Sequence, residues 1–213
     1  MGEKRKINSG VYLVVDPSLD ETILLEKLQE VLQEQVVAVQ LWDNFPPHKN
    51  SLGLIQKVTE LCHQKEVPVL INNQWELLQH TTLDGVHFDV IPEDVEKIRR
   101  EVGREFICGL TCNNDLSVLA WAKEHLFDYV SFCSIFPSRT SNSCELVNFE
   151  TIQEARNITS IPVFLAGGIT PENLPDLKNL SFDGVAVVSG IMSSNKPGEV
   201  VKKFLSELKL NDI

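Results

Sequence analysis

The runs FLAGGIT at residues 164–170 and VAVVSG at residues 185–190 are the most informative part of this chain. Each is an apolar, strand-like segment that ends in small residues just before a predicted helix. Backbone N–H groups exposed at such a point, together with a helix N-terminus, can bind an anion. The two runs therefore predict a phosphate site, of the kind that (β/α)₈ barrels often carry after their seventh and eighth strands.

Eight β-rich runs alternate with helical patterns, which is typical of parallel βα architecture. Strands that are apolar throughout, such as VPVLI at 67–71, suit a parallel sheet buried on both faces. The predicted strands are Val11–Val15, Val36–Leu41, Val67–Ile71, Gly85–Phe88, Phe106–Leu110, Tyr129–Phe132, Pro162–Leu165 and Val185–Val188. The predicted helical segments are Thr22–Gln33, Ser51–Lys65, a short one at Trp75–Gln79, Pro92–Glu101, Leu116–Glu124, Phe149–Asn157, Pro171–Leu180 and Gly198–Leu208.

A weak internal repeat favours a closed barrel over an open sheet. The strand Val67–Ile71 precedes an Asp-Gly pair at 84–85, and the similar segment IPVFL at 161–165 precedes an Asp-Gly pair at 183–184. Two similar halves of four βα units give eightfold closure, whereas a doubly wound sheet more often has five or six strands. The chain is therefore predicted to form a single (β/α)₈ (TIM) barrel domain over residues 1–213.

The composition narrows the classes of partner. A net charge of −11 argues against a surface for nucleic acid or an anionic membrane, because both need clustered Lys and Arg. No apolar region follows the basic start, and no segment approaches the roughly 18 apolar residues of a membrane span, so a cytoplasmic location is expected. The five cysteines lack Cys-x-x-Cys spacing, which argues against a disulfide or zinc framework. The expected partners are small phosphorylated molecules, and a homodimer is possible by analogy with other barrels.

Polar side chains follow the predicted strands, where the functional groups of a closed barrel lie. They are mostly amides and hydroxyls, which donate hydrogen bonds but cannot by themselves abstract protons near neutral pH. The rim is therefore predicted to hold polar, anionic groups, and its members include Asp16, Gln40, Trp42, Asp43, Asn44, Asn72, Asn73, Gln74, His87, Asp89, Thr111, Cys112, Asn113 and Ser134.

Three rim residues each have two interpretations from the residues alone. His87 is either a hydrogen-bonded structural histidine or a base. Trp42 either stacks on a heteroaromatic ring or fills the mouth of the barrel. Asp89 either caps a helix that begins near Pro92 or binds a metal ion.

Seven motifs in register resemble those of the thiamine phosphate synthase family, taken broadly to include the thiazole tautomerases of the same fold. The resemblance runs from about Val11 to Leu208 with the order and spacing of the motifs preserved. The motifs are Gln40-Leu41, Ile71-Asn72, Asp84-Gly85-Val86-His87, Gly109-Leu110-Thr111, Phe136-Pro137-Ser138-Arg139-Thr140, Ala166-Gly167-Gly168-Ile169 and Val187-Val188-Ser189-Gly190.

The resemblance implies a transferase of thiamine biosynthesis that joins hydroxymethylpyrimidine diphosphate to thiazole phosphate, with Mg²⁺ as cofactor, and releases pyrophosphate. Gln40, Asn72 and Thr111 match the catalytic, diphosphate side of the site, and Asn73 beside them is a predicted substrate-binding residue. On the thiazole phosphate side, the implied binding groups are the hydroxyls of Ser138 and Thr140 and the backbone N–H groups of Gly167, Gly168, Ser189 and Gly190.

The departures from the family pattern concentrate on the diphosphate side. Gln-x-Arg-x-Lys is replaced by QLWDN at 40–44, Ile-Asn-Asp-Arg by INNQ at 71–74, and Gly-Gln-x-Asp by DVIP at 89–92. The Lys expected after Thr140 is Ser141, and the His expected after strand five is Asn113. Arg139 is a candidate replacement cation for the diphosphate, and Asp43, Asp89 or Asp94 are candidates to hold Mg²⁺, so the metal ligands are not identified.

Three hypotheses follow from this pattern. The chain is an active synthase with a rebuilt diphosphate site, a thiazole tautomerase-like enzyme, or a non-catalytic barrel that binds a phosphorylated ligand. The first is favoured by the residues that match the family pattern, which are Gln40, Asn72, Thr111, Ser138 and Thr140. The lost cations favour the second, but Asn113 counts against it because the resemblance implies a proton-transfer histidine there in the tautomerases.

Overall fold

Eight parallel strands form a closed barrel in chain order in a computed structural model that describes residues 4–47, 50–137 and 145–211. The strands are β1 (Gly10–Val15), β2 (Val36–Leu41), β3 (Val69–Asn72), β4 (Gly85–Phe88), β5 (Ile107–Cys112), β6 (Tyr129–Cys133), β7 (Val163–Ala166) and β8 (Gly184–Val187). The first strand pairs with both β2 and β8, which closes the sheet. The predicted (β/α)₈ barrel is confirmed.

Helices connect the strands around the outside of the barrel. They are α1 (Glu21–Val31), α2 (Ser51–His63), α3 (Val95–Val102), α4 (Leu116–Glu124), α5 (Phe149–Ile158), α6 (Ser189–Met192) and α7 (Pro197–Asn211), with 3₁₀ helices at Trp75–Gln79 and Leu174–Leu177. Side-chain caps fix where several of them begin; the Asp20 carboxylate, for example, accepts the Ile23 N–H. Within the described ranges, no helix is both long and apolar enough to cross a membrane.

Two sequence-based expectations about helices are wrong. The segment Pro171–Leu180 forms only the short 3₁₀ helix, because Pro175 has no N–H to donate within a helix and the Asn173 side chain bonds the Thr170 N–H and the Gly168 carbonyl instead. The helix predicted from Pro92 begins at Val95, where Asp94 accepts the Lys97 N–H. Asp94 is therefore the cap, and the capping interpretation of Asp89 is wrong.

The barrel has two apolar regions, one inside it and one between the sheet and the helices. Inside, the rings of Tyr12, Tyr129 and Phe164 meet edge to face with centroids 5.6–5.7 Å apart. These rings fill the interior beneath the carboxyl ends of the strands. The polar side chains above them therefore rest on a packed floor.

Three aspartates clamp neighbouring strands at the opposite, amino-terminal end of the barrel. Asp84 accepts the Val69 N–H at 2.8 Å, and two other pairs repeat this contact at 2.7 Å: Asp128 with the Cys108 N–H and Asp183 with the Val163 N–H. Each carboxylate also pairs with a cation, namely Arg5, Lys4 and Arg156 respectively. Charge-assisted bonds of this kind are stronger than neutral ones.

The internal repeat seen in the sequence has a structural cause. In both Asp-Gly pairs the aspartate clamps the preceding strand, and the glycine lets backbones approach closely. A Cβ on Gly85 would lie 2.2 Å from the Ile107 carbonyl oxygen, and one on Gly184 would lie 2.1 Å from the Gly10 carbonyl oxygen. Both residues of each pair therefore have a structural role where neighbouring strands begin.

Replacing Asp183 with alanine is expected to lower the free energy of unfolding by about 2 kcal/mol, because the Val163 N–H loses its acceptor and the Arg156 guanidinium loses its carboxylate and keeps only the Ser181 and Ile161 carbonyls. Urea denaturation measures the change. Asp176→Ala is the matched control, since Asp176 is exposed on the outer surface. Equal denaturation midpoints for the two variants would contradict the clamp.

Three of the four described cysteines are buried, and the fourth, Cys133, is partly exposed. Burial raises the pKa of the Cys62, Cys108 and Cys112 thiols to about 12, so these thiols stay protonated at neutral pH. The fifth cysteine, Cys144, lies outside the described residues.

Candidate functional site

A cavity of about 400 Å³ opens at the carboxyl ends of the strands. Side chains on a strand alternate between the two faces, so Gln40, Asn72, His87 and Thr111 all point into the barrel near its mouth. The polar residues that line the cavity are Tyr12, Gln40, Asn72, His87, Asp89, Thr111 and Ser131.

One half of the polar lining is a chain of hydrogen bonds that starts at Asp89. The Asn72 Nδ2 donates to Asp89 Oδ2 at 2.9 Å, and the Gln40 Nε2 donates to Asn72 Oδ1. The Tyr12 hydroxyl donates to Gln40 Oε1 at 2.8 Å. Gln40 and Asn72 are 5% and 4% exposed, so these bonds fix both amides in place.

The other half continues from Tyr12 across the barrel. The hydroxyls of Tyr12 and Tyr129 lie 2.8 Å apart, and the Tyr129 hydroxyl lies 2.8 Å from His87 Nδ1. The remaining ring nitrogen, His87 Nε2, is 2.9 Å from Thr111 Oγ1 and 3.5 Å from Ser131 Oγ. A continuous series of bonds therefore links Thr111 to Asp89.

Burial keeps the middle of this series uncharged. It lowers the pKa of His87 to about 4, against a smaller opposing effect of the Asp89 charge. Burial also raises the pKa of the Tyr12 and Tyr129 hydroxyls above their usual value. Both ring nitrogens of His87 have partners inside the barrel, which fits the structural interpretation of this residue.

Two carboxylates meet at the rim around one amide. The Asn73 Nδ2 lies 2.9 Å from both Asp43 Oδ2 and Asp89 Oδ2, and the Asn73 Oδ1 accepts the Asp89 N–H at 3.0 Å. Asn73 has a left-handed backbone conformation, with φ at 53°, which turns its side chain toward both acids. Asn73 therefore bridges the loops that follow β2 and β4.

A second cavity of about 220 Å³ lies between the loops that follow β7 and β8. Gly167 and Gly168 have φ angles of 89° and 68°. A Cβ on Gly168 would lie 2.6 Å from the Phe136 carbonyl oxygen, so only glycine fits there without strain. Ser189 and Gly190, at the start of α6, line the same cavity.

The two cavities adjoin, because Gly167, Ala186 and Val188 line both of them. Seven of the predicted site residues therefore line the two adjoining cavities. They are Gln40, Asn72, Thr111, Gly167, Gly168, Ser189 and Gly190. Asn73 lies at the rim. Ser138, Arg139 and Thr140 lie outside the described residues.

The larger cavity lacks positive charge in the described part of the chain. Asp89 is its only charged lining residue there, and Trp42 contributes an aromatic surface. Sequence analysis did not identify Tyr12, Tyr129 or Ser131 as members of the site. The sequence feature that could have identified them is the two-residue period of β1 and β6, which places their side chains on the inner face of the barrel.

Comparison with known proteins gives one consistent result. The family model described as thiamine monophosphate synthase matches residues 11–191. A thiamine-phosphate synthase of Methanobrevibacter smithii is 29% identical over 203 residues, which cover 95% of this chain and 97% of that protein. Another, from a Hydrogenobaculum species, is 30% identical over 210 residues, which cover 96% of this chain and 94% of that protein.

A solved structure supports the same fold. The thiamine phosphate pyrophosphorylase of Pyrococcus furiosus superposes with a TM-score of 0.82 over 98% of both chains, at 19% identity. At that identity the likeness is one of fold. It agrees with the closed barrel described above.

Proposed function

The chain belongs to the thiamine monophosphate synthase family, and we propose that it joins hydroxymethylpyrimidine diphosphate to thiazole phosphate in thiamine biosynthesis, with an altered diphosphate site. In this reaction the bond between the pyrimidine methylene carbon and the diphosphate oxygen breaks. The thiazole nitrogen forms the new bond to that carbon, and pyrophosphate leaves with the electron pair. The protein must hold both rings in line and stabilise the leaving group.

The observation that carries the proposal is the pair of adjoining cavities. The smaller one offers backbone N–H groups and the Ser189 hydroxyl, which suit the thiazole phosphate. The larger one has polar but mostly uncharged walls and the Trp42 ring, which suit a pyrimidine. The reacting atoms of the two substrates would then meet near Gly167, which lines both cavities.

Gln40, Asn72 and Thr111 are the proposed catalytic residues, because their side chains face the larger cavity. The two amides are held by bonds on several sides, so they need little reorganisation when substrate binds. The family resemblance implies in addition that Ser138 and Thr140 bind the thiazole phosphate, and Arg139 is the proposed cation for the diphosphate.

The donor set at the rim fits Mg²⁺. This ion usually binds one or two carboxylates together with substrate phosphates, and the carboxylates of Asp43 and Asp89 lie on either side of Asn73. When bound, Mg²⁺ would neutralise charge on the leaving diphosphate. We therefore propose Asp43 and Asp89 as the groups that would hold it in place of the family's acids.

A second candidate, a non-catalytic barrel for a phosphorylated ligand, is favoured by the absence of cations among the described lining residues of the larger cavity. Loss of one preorganised donor commonly costs about 2.7–4 kcal/mol of transition-state stabilisation, and several are replaced here. The tautomerase-like alternative has less support. Asn113 stands where the resemblance implies a proton-transfer histidine, and its side chain accepts the Asp115 N–H at 2.8 Å.

The test is isothermal titration of the purified protein with hydroxymethylpyrimidine diphosphate, with and without Mg²⁺, followed by a thiamine phosphate assay after thiazole phosphate is added. Mg²⁺-dependent binding and product formation are expected. Binding of thiazole phosphate without turnover would favour the non-catalytic alternative. No diphosphate binding at any Mg²⁺ concentration would overturn the synthase proposal.

Gly168→Ala is expected to weaken thiazole phosphate binding at least tenfold, because the added methyl group displaces the backbone around the smaller cavity. Titration with thiazole phosphate measures the loss. Gly103→Ala is the control, since Gly103 also has a positive φ, of 67°, but ends α3, away from both cavities. Equal affinity in both variants would contradict the assignment of this cavity.

A further inference from the structure

We infer that the Asp89 carboxylate sets the direction of every hydrogen bond in the series from Asp89 to Thr111, and thereby makes the Thr111 hydroxyl oxygen an acceptor toward the substrate. Asp89 would then be a positioning residue that acts on Thr111 through five intervening side chains. Asp89 stands at the first position of the segment DVIP at 89–92, where the resemblance implies glycine. The direction of the bonds is independent of the proposed function, whereas the identity of the substrate group rests on it.

The first step follows from what a carboxylate can do. An ionised carboxylate only accepts hydrogen bonds, so Asn72 must turn its Nδ2 toward Asp89 and its Oδ1 toward Gln40. Gln40 then presents Nε2 to Asn72 and Oε1 to Tyr12. Both amide orientations therefore depend on one charged group at the rim.

The second step follows from counting protons on the hydroxyls. Tyr12 has one hydroxyl proton and donates it to Gln40, so in its 2.8 Å contact with Tyr129 it must accept. The Tyr129 proton is then used, so Tyr129 must accept from His87 Nδ1–H. This fixes one tautomer of the imidazole, with the proton on Nδ1.

The third step reaches the substrate side of the cavity. His87 is 5% exposed and its two ring nitrogens contact only hydroxyl oxygens, so this buried position accommodates a neutral imidazole. With the proton on Nδ1, Nε2 carries a lone pair and accepts the proton of Thr111 Oγ1 at 2.9 Å. Ser131 Oγ, at 3.5 Å, is the weaker rival for this nitrogen. With its proton engaged, the Thr111 oxygen offers only lone pairs to the cavity.

The consequence concerns which part of a substrate Thr111 recognises. An oxygen that offers lone pairs attracts an N–H group and repels an anionic oxygen. Gln40, across the same cavity, uses one Nε2 proton on Asn72 and has a second to donate. Together they match the edge of an amino-substituted nitrogen heterocycle, and the diphosphate would have to lie elsewhere.

The tautomer of His87 is the direct test. The full-length protein is labelled with ¹⁵N-histidine, and the His87 signals are assigned by their loss in His87→Gln. The expected spectrum has a protonated Nδ1 and a bare Nε2 in the absence of any ligand. In Tyr129→Phe the acceptor for Nδ1–H is removed, and the proton is expected to move to Nε2. An Nε2–H tautomer in the unaltered protein would overturn the inference.

Asp89→Asn tests separately whether the Asp89 carboxylate sets the direction of the bonds, because an amide can present either an N–H or an oxygen to Asn72. Both His87 tautomers are then expected, while Asp89→Glu should restore the single one. The signals of the other four histidines serve as an internal check that the variants remain folded. A single, unchanged His87 tautomer in a folded Asp89→Asn protein would show that Asp89 does not set the direction of the bonds.

Thr111→Val tests the substrate side, with neutral hydroxymethylpyrimidine and inorganic pyrophosphate as separate probes. Binding of the pyrimidine is expected to weaken about tenfold and that of pyrophosphate to stay the same, with Thr22→Val on the exposed outer surface as control. The reverse pattern would overturn the assignment of Thr111. The proposed function is overturned by the titration with hydroxymethylpyrimidine diphosphate described above, whereas the bond direction is decided by the histidine spectra alone.

Discussion

Gly184→Ala is expected to lower the free energy of unfolding by about 3 kcal/mol or more, at the upper end of the cost of overpacking a core. The new methyl group would lie 2.1 Å from the Gly10 carbonyl oxygen and 2.6 Å from Cε1 of Phe164. Neither neighbour can yield easily. The Gly10 backbone belongs to the pair of strands that closes the barrel, and the Phe164 ring is buried between two tyrosines.

Thermal unfolding measures this loss, with an expected fall in Tm of about 6–12 °C for a chain of this size. Gly103→Ala separates close approach from backbone strain. Gly103 has a φ of 67°, but the nearest atom to a Cβ there is 3.9 Å away, so only the left-handed conformation is penalised, by about 1–2 kcal/mol. If the two variants lost the same stability, close approach at Gly184 would not be the cause.

Most of the barrel could be predicted from the sequence because its local signals agree with its tertiary structure. The apolar run Val67–Ile71, for example, anticipates β3 to within two residues, since a strand buried on both faces needs continuous apolar character. The segment Pro171–Leu180 shows the limit of such signals. Its helical period was real, but Pro175 and the Asn173 side chain decided the backbone conformation.

The residues of the candidate site could also be predicted only in part. Gln40, Asn72 and Thr111 could be located because polar residues at the ends of apolar strands are conspicuous. Tyr12 and Tyr129 could not, because a tyrosine within an apolar run is also what a buried core requires. Their hydroxyls become functional candidates only when the closed barrel brings β1 and β6, 117 residues apart in sequence, to within hydrogen-bond distance.

The bridging role of Asn73 leads to the prediction that matters most for the proposed metal site. Asn73→Asp removes the N–H donor shared by Asp43 and Asp89 and adds a third negative charge between them. Without divalent metal, the free energy of unfolding is expected to fall by about 2 kcal/mol, since two charge-assisted bonds are replaced by repulsion that solvent partly screens. The same three carboxylates would offer Mg²⁺ a stronger set of oxygen ligands.

Stability of Asn73→Asp should therefore become dependent on Mg²⁺. A ligand present at 100 times its Kd stabilises the folded state by about 2.7 kcal/mol, which is enough to offset the loss. Thermal unfolding in MgCl₂ and in EDTA measures the difference, and Asn157→Asp, exposed on α5, controls for a general effect of charge. If Mg²⁺ shifted the Tm of neither variant, Asp43 and Asp89 would not form a metal site with this position. A shift confined to Asn73→Asp would instead mean that the chain has kept the geometry of a magnesium site while an amide replaces one of its ligands.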